Sequence, residues 1–276
     1  MIPKTDPEGS LVDHIVLKVL ESPKYAKISE EFIRHITLQE LEKRGKEREV
    51  LKAVKNKLHQ VGGAYLEHPV NYTRCMQELT EAYQQNANAF RNTCKQMMCY
   101  HSSTRERLPE IDRFYQTILG ELKPIYKLID IACGLNPLAI PWMDLPKGVE
   151  YTAVDIYEDM IHFLSNFFDL IHMEGIAITK DMIGQYLPWK GDVALVLKTI
   201  PCLEQVEKRV GEQLLDRLQA NHVVVSFPVK SLGGRRDKGM IENYTNRFNE
   251  IIQARRWPVK RYEFQTELVF VVNKSE

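Results

Sequence analysis

From Ser10 to about Gly120 the apolar residues recur at helical spacing: Leu11, Ile15 and Val19 share one face, and Val50, Val54, Leu58 and Val61 repeat the pattern farther on. No two-residue alternation competes with it, so the first hundred residues predict an all-helical lobe. Breaks are expected at Ser22-Pro23, near Gly45, at Gly62-Gly63 and at His68-Pro69, where proline and glycine interrupt helical backbone. After about residue 105 the texture changes. Short apolar runs at Lys127 to Ala132, Val149 to Ile156, Gly175 to Thr179, Asp192 to Leu197 and His222 to Phe227 alternate with helical stretches, the pattern of a parallel sheet with crossover helices. The last two runs, Lys260 to Gln265 and Glu267 to Val272, lie too close together for a crossover helix and predict an antiparallel hairpin at one edge. The expected organisation is a helical lobe over residues 1–104 followed by an α/β domain over residues 105–276.

Within that domain, residues 127–155 read in order as strand, tight loop, helix start, second strand and closing acid. Gly134 supplies the turn, and Asp155 stands about twenty residues beyond it, the separation at which an acid accepts ribose hydroxyls in a doubly wound sheet. A single glycine is not the three-glycine loop that lets backbone approach a pyrophosphate, so a dinucleotide is disfavoured. S-adenosylmethionine carries no phosphate and tolerates the bulkier loop. The terminal hairpin points the same way, because it belongs to methyltransferase sheets rather than to plain dinucleotide-binding ones. The fold expected is therefore α/β: a Rossmann-like class I S-adenosylmethionine-dependent methyltransferase sheet. An ordinary strand-turn-helix without a ligand is the plainer account of the same segment.

Open parallel sheets bind ligands at the carboxyl ends of their strands, which makes the candidates few: Ala132, Gly134 and Asn136, then Asp155, then Asp181 and Met182, then Lys198 and Pro201, then Ser226 and Pro228. Asp181 is placed to accept the exocyclic amine of adenine, with Met182 as an apolar face for the ring; the alternative is an acid capping the next helix. Lys198 closes the apolar run DVALVLK, where an ammonium needs a partner or a path to water. It would contact a phosphate or orient a target base, unless it merely reaches solvent past the strand end.

At 276 residues, 44% of them hydrophobic and 27% charged, the chain has the means to bury a substantial core. The start MIPKTDPEGS has no apolar signal core, and no run approaches the roughly 18 apolar residues of a spanning helix, so a cytoplasmic protein with no membrane partner is expected. Five irregularly spaced cysteines suit reduced thiols. Cys94, Cys99 and His101 invite zinc, but no second ligand pair accompanies them, and no metal is expected. A formal net charge of +0 argues against a protein that coats nucleic acid indiscriminately, yet the charge is uneven. Lys43, Arg44 and Lys46 begin one basic run, and Lys230, Arg235, Arg236 and Lys238 form another. Each alone is explained by a solvated surface; two flanking one cofactor site favour an anionic macromolecule.

Three segments make the reading specific: HSSTRERL from His101, DIACGLNP from Asp130, and SFPVKSLGGR from Ser226. In that order they resemble the aminoglycoside-resistance 16S ribosomal RNA (guanine-N7) methyltransferases, and the likeness runs over essentially the whole chain. The resemblance implies methyl transfer from S-adenosylmethionine, leaving S-adenosylhomocysteine, to N7 of guanine 1405 in the decoding site of the assembled 30S subunit, with aminoglycoside resistance as the outcome. It further implies that Arg107 pairs with the methionine carboxylate, that Ala132 and Gly134 line the cofactor loop, and that Asp155 holds the ribose. Asp181 would hold the adenine amine and Lys198 would lie beside the target, while residues 231–240 and the basic helices grip RNA. Two departures from the family texture, Thr199-Ile200-Pro201-Cys202 and the extra Arg236-Asp237, bear on target packing more than on cofactor binding. Methylation of a neighbouring adenine or of another RNA, and a non-catalytic RNA-binding factor, are the rival readings. The chemistry asks for no base: guanine N7 presents an in-plane lone pair and no proton, so alignment is the requirement, and His101 need not act. N7 also faces the narrow A-form major groove, so the helix must distort or the base must be extruded.

Overall fold

The computed structural model describes residues 7–63, 65–66, 68–183, 187–229 and 238–275. Helices α1 (Pro7–Leu20), α2 (Glu30–Leu41) and α3 (Glu47–Leu58) end where proline and glycine were expected to stop them, and α3 runs into one wide π-turn, His59–Gly63. Their apolar stripes, among them Ile15, Val19, Phe32, Ile33, Val50 and Val54, are fully buried. Helices α4 (Tyr72–Gln85) and α5 (Ala87–Met98) fold back on each other about Asn86, whose Oδ1 accepts the backbone N–H groups of Asn88 and Ala89 at 3.0 and 2.9 Å. This is a side-chain cap on otherwise orphaned helical donors. Two shorter helices, α6 (Ser102–Arg107) and α7 (Ile111–Leu119), lead to the sheet.

The seven strands are β1 (Lys127–Ile131), β2 (Glu150–Asp155), β3 (Gly175–Thr179), β4 (Lys190–Leu197), β5 (Gln219–Pro228), β6 (Val259–Glu263) and β7 (Glu267–Asn273), in the order β3-β2-β1-β4-β5-β7-β6. The first five are parallel, with α8 (Glu158–Leu170) joining β2 to β3 and α9 (Ile200–Leu203) and α10 (Val210–Arg217) joining β4 to β5. After α11 (Lys238–Ile252), β6 and β7 form the expected antiparallel hairpin, with β7 inserted against β5 and β6 at the edge. Strand order reverses between β1 and β4, so the carboxyl ends of β1, β2 and β4 border a crevice, the ligand position in open parallel sheets.

One local expectation is corrected. The turn after β1 leads into a 3₁₀ helix, Asn136–Trp142, rather than an α-helix. Pro137 and Pro141 lack the N–H that α-helical bonding would use, and Pro141 falls inside the element.

The helical lobe is pinned across the carboxyl end of the sheet. Ser29 N donates to Ile156 O and Glu158 N to Lys27 O, each at 2.8 Å, around an isolated bridge between Ile28 and Tyr157. The apolar core runs without interruption from α1 to β7. No described helix is long and apolar enough to cross a membrane.

Candidate functional site

At that crevice lies a narrow cavity of about 70 Å³. Ala132, Asp155, Ile156, Met182, Leu197 and Lys198 line it from the sheet. Phe32, Val61, Gly62 and Tyr65 close it from the lobe. The approach is tight enough that a Cβ on Gly62 would stand 2.7 Å from the Tyr157 hydroxyl.

The floor is built by strained backbone. Ala132 and Gly134 have φ of 50° and 52°, and Lys198 at the end of β4 has φ of 56°, all in the left-handed region that side chains disfavour. At Gly134 a side chain is also excluded by space, because the His101 ring sits 2.8 Å from where its Cβ would be. The Asp155 carboxylate fixes the turn: Oδ2 accepts Gly134 N at 2.8 Å and Oδ1 accepts Ile156 N at 2.7 Å. Burial nonetheless pushes the Asp155 carboxyl above its ordinary range. His101 stacks on Tyr65 with ring centres 5.6 Å apart, and its Nδ1 is buried without a partner. Burial first, then the charges of Arg107 and Lys198, lower the imidazole to about 3, so His101 is neutral.

Behind the floor lies an ion network. Arg107 donates to Glu267 at 2.8 and 3.1 Å and to Asn136 Oδ1 at 2.7 Å. Ser226 Oγ donates to Glu267 at 2.7 Å. Lys198 Nζ lies 2.6 Å from Glu106 and 3.6 Å from Glu267. Burial alone would raise the Glu267 carboxyl; Arg107 and Lys198 outweigh it and hold it below its ordinary value. Asn136 in turn donates to Asp130 Oδ2 at 2.8 Å, as does the Tyr151 hydroxyl at 2.7 Å.

Of the residues the sequence singled out, the structure brings Ala132, Asp155, Met182 and Lys198 to the cavity wall, with Gly134 in the turn beneath. It does not bring Arg107 or Asp181 there. Arg107 is 2% exposed, and its guanidinium is taken up by Glu267, Asn136 and Tyr115 behind the turn. Asp181 is wholly buried, with Oδ1 accepting Ile183 N at 2.8 Å and Oδ2 lying 2.5 Å from His35 Nδ1. Lys198 does not reach solvent past its strand; it is paired.

The first basic run is partly neutralised from within the lobe. Glu40, itself buried, takes Arg44, Lys43 at 3.5 Å and Lys57 at 2.9 Å. Lys46 is the most exposed of Lys43, Arg44 and Lys46, with 82% of its side chain in solvent and Glu49 at 3.7 Å. Lys230, Arg235 and Arg236 lie outside the described residues, as does the side chain of Lys238. Cys94 is buried in the core while Cys99 is exposed, and no group of His, Cys, Asp and Glu among the described residues is arranged to hold a metal ion.

Sequence reasoning missed Tyr65, Cys202, Glu106 and His35. Tyr65 Oη meets Cys202 Sγ at 2.7 Å across 137 positions, which no periodicity reveals. Glu106 had a signal, since the lysine ending β4 required a partner.

A sheet of this order, with β7 reversed between β5 and β6 and a cleft at the ends of β1, β2 and β4, defines a class I methyltransferase. Residues 21–271 match the family model described as ribosomal RNA methyltransferase (FmrO), and the chain belongs to that family. It is similar to the 16S rRNA (guanine(1405)-N(7))-methyltransferase of Frankia casuarinae, 35% identical over 267 residues that cover 95% of this chain and 94% of that one. The enzyme of the same name from Micromonospora echinospora is 34% identical, covering 95% and 97%. Among solved structures, the 16S rRNA methyltransferase RmtF in complex with S-adenosyl-L-homocysteine superposes with a TM-score of 0.82 at 25% identity, covering 95% of this chain and 97% of that one.

Proposed function

We propose that this chain transfers the methyl group of S-adenosylmethionine to N7 of guanine 1405 in 16S rRNA, that the substrate is the assembled 30S subunit, and that aminoglycoside resistance follows. The observation that carries this reading is likeness to guanine-1405 methyltransferases over 95% of the chain, joined to a cleft whose chemistry suits the cofactor.

The fit rests on the donor set. Asp155 offers a carboxylate at the end of β2, Ile156 and Met182 offer apolar faces, and the buried Nδ1 of neutral His101 lacks a partner at the same wall. Two cations line the cavity, Lys180 just after β3 and Lys198, which is engaged by carboxylates, and among the described residues no glycine-rich cradle for a pyrophosphate is present there. Such a site accepts a nucleoside without phosphates. When bound, the cofactor supplies a methyl group on a sulfonium centre.

The chain's own residues then bind and align. Asp155 takes the ribose, and Asp181 and Met182 define the adenine end. Arg107, held behind the turn by Glu267 and Asn136, would pair with the methionine carboxylate. Lys198 lies beside the target base. Because N7 has no proton to remove, a neutral, buried His101 is no obstacle; holding reactants in line is worth roughly 7–11 kcal/mol in favourable cases. Phe32, Val61 and Tyr65 keep water from the reacting centre.

The substrate form is tested by transfer of tritiated methyl groups to intact 30S subunits and to protein-free 16S rRNA. Incorporation of about one methyl per subunit, with little into free RNA, is expected; preference for free RNA overturns the subunit assignment. Expression in a susceptible bacterium is expected to give resistance to gentamicin and kanamycin without apramycin resistance, and unchanged susceptibility contradicts the resistance role.

A further inference from the structure

The turn that follows β3 is held from the helical lobe. His35 on α2 points its Nδ1 at Asp181 Oδ2, 2.5 Å away and 146 positions later in the chain. Asp181 Oδ1 accepts Ile183 N at 2.8 Å, Lys180 N donates to Asp155 O at 3.0 Å, and Arg217 reaches Met182 O at 3.4 Å. These contacts fix the segment Lys180 to Ile183, which carries Met182 into the cavity wall. A wholly buried carboxylate left without its imidazole partner keeps the full cost of desolvation. His35 is therefore the lobe's grip on a turn that belongs to the sheet.

We propose that His35 is a positioning residue for the cofactor: by holding the Asp181 carboxylate it sets the turn at the adenine end, so that correct seating of the helical lobe becomes a condition of adenine recognition. The proposal rests on the reading of Asp181 as the acid that accepts the adenine amine. A carboxylate has about four acceptor positions; His35 and Ile183 occupy one each, so acceptor capacity remains for that amine on a carboxylate that lies buried behind Met182 of the cavity wall.

The groups around His35 give the pH dependence its sign. The bond to Asp181 raises the imidazole pKa most, burial opposes it, Glu207 adds to the rise, and Lys57 opposes it; Gln39, 3.0 Å from Nε2, is uncharged. The charge-assisted bond is thus present below the raised His35 value and weakens to a neutral bond as pH climbs through it. Cofactor affinity falls over the same interval.

The test is calorimetric titration of the full chain with S-adenosylhomocysteine and with S-inosylhomocysteine, in which a carbonyl replaces the exocyclic amine, between pH 6 and 9. His35→Ala is expected to weaken S-adenosylhomocysteine about tenfold at neutral pH, the loss of one charge-assisted bond, and to narrow the preference over the inosyl analogue. His35→Asn, whose amide nitrogen stands where Nδ1 does, is expected to recover most of the affinity with a flat pH profile. Wild-type affinity, preference and pH profile in folded His35→Ala overturn the proposal, and so does a His35→Asn variant that keeps the wild-type profile. If the wild-type protein does not prefer the adenosyl compound, or Asp181→Asn keeps that preference, it is the reading of Asp181 that fails, and the proposal falls with it.

Discussion

Arg107 and Glu267, 160 positions apart, meet in a buried two-bond ion pair at 2.8 and 3.1 Å that ties α6 to the start of β7. Through it the terminal hairpin braces the turn beneath the cofactor cleft, because Arg107 also holds Asn136.

Breaking this pair from one side leaves a desolvated charge. Arg107→Ala is expected to lower stability by roughly 3–5 kcal/mol, read as a shift in the guanidinium midpoint at unchanged slope. The double variant Arg107→Met with Glu267→Met removes both charges and is expected to recover much of that loss. A double variant as unstable as the sum of its parts would show that the two residues act independently.

Asp155 is expected to separate binding from folding. Asp155→Ala removes the cleft's carboxylate and orphans the N–H groups of Gly134 and Ile156, so S-adenosylmethionine affinity should drop roughly ten- to hundredfold, as for loss of a hydrogen bond to a charged group. Unchanged affinity by calorimetry rejects its role in holding the ribose.

Asp130 sets a pH dependence of stability. Burial raises its carboxyl to about 7, against the bonds from Asn136 and Tyr151, and Oδ1 has no partner. The folded state therefore holds a proton that the unfolded chain, at an ordinary carboxylate value, has already lost. Stability is fullest below the unfolded value near 4 and declines as pH rises to about 7. Asp130→Asn keeps an acceptor for both donors without the charge, so it should gain stability relative to the wild type between pH 5 and pH 8, by roughly 3 kcal/mol. Parallel melting curves for the two proteins across that range would contradict this.

The basic run on the lobe should contribute unevenly to RNA. Glu40 already neutralises part of Arg44 and Lys43, whereas Lys46 stands in solvent. Lys46→Ala is expected to reduce the salt slope of 30S binding by about 0.9 while leaving S-adenosylhomocysteine affinity unchanged. The triple variant of Lys43, Arg44 and Lys46 should reduce the slope by clearly less than three such steps. An unaltered slope removes this face from the interface.

Much of the fold was legible because its signals are local. The run Gly175 to Thr179 coincides with β3, and the two closely spaced runs at the end form the hairpin. Strand β5 extends beyond the expected His222 to Phe227, since its outer residues are recruited by neighbours: Gln219 pairs with Lys190 and Pro228 with Glu267. The helix expected after the tight loop became a 3₁₀ helix because Pro137 and Pro141 both fall within it. At the site, Asp155 and Lys198 were visible as polar residues ending apolar strands. The partners of Asp181, Arg107 and Tyr65 were not, because His35, Glu267 and Cys202 meet them only through the tertiary fold and leave no spacing in the chain.

The central claim is the position of one methyl group. Subunits incubated with the protein and S-adenosylmethionine, then treated with borohydride and aniline to cleave at N7-methylguanine and read by reverse transcription, are expected to stop at guanine 1405 and to lose that stop when Asp155→Ala replaces the wild type. A stop at another nucleotide, or treated subunits indistinguishable from untreated ones, contradicts the account.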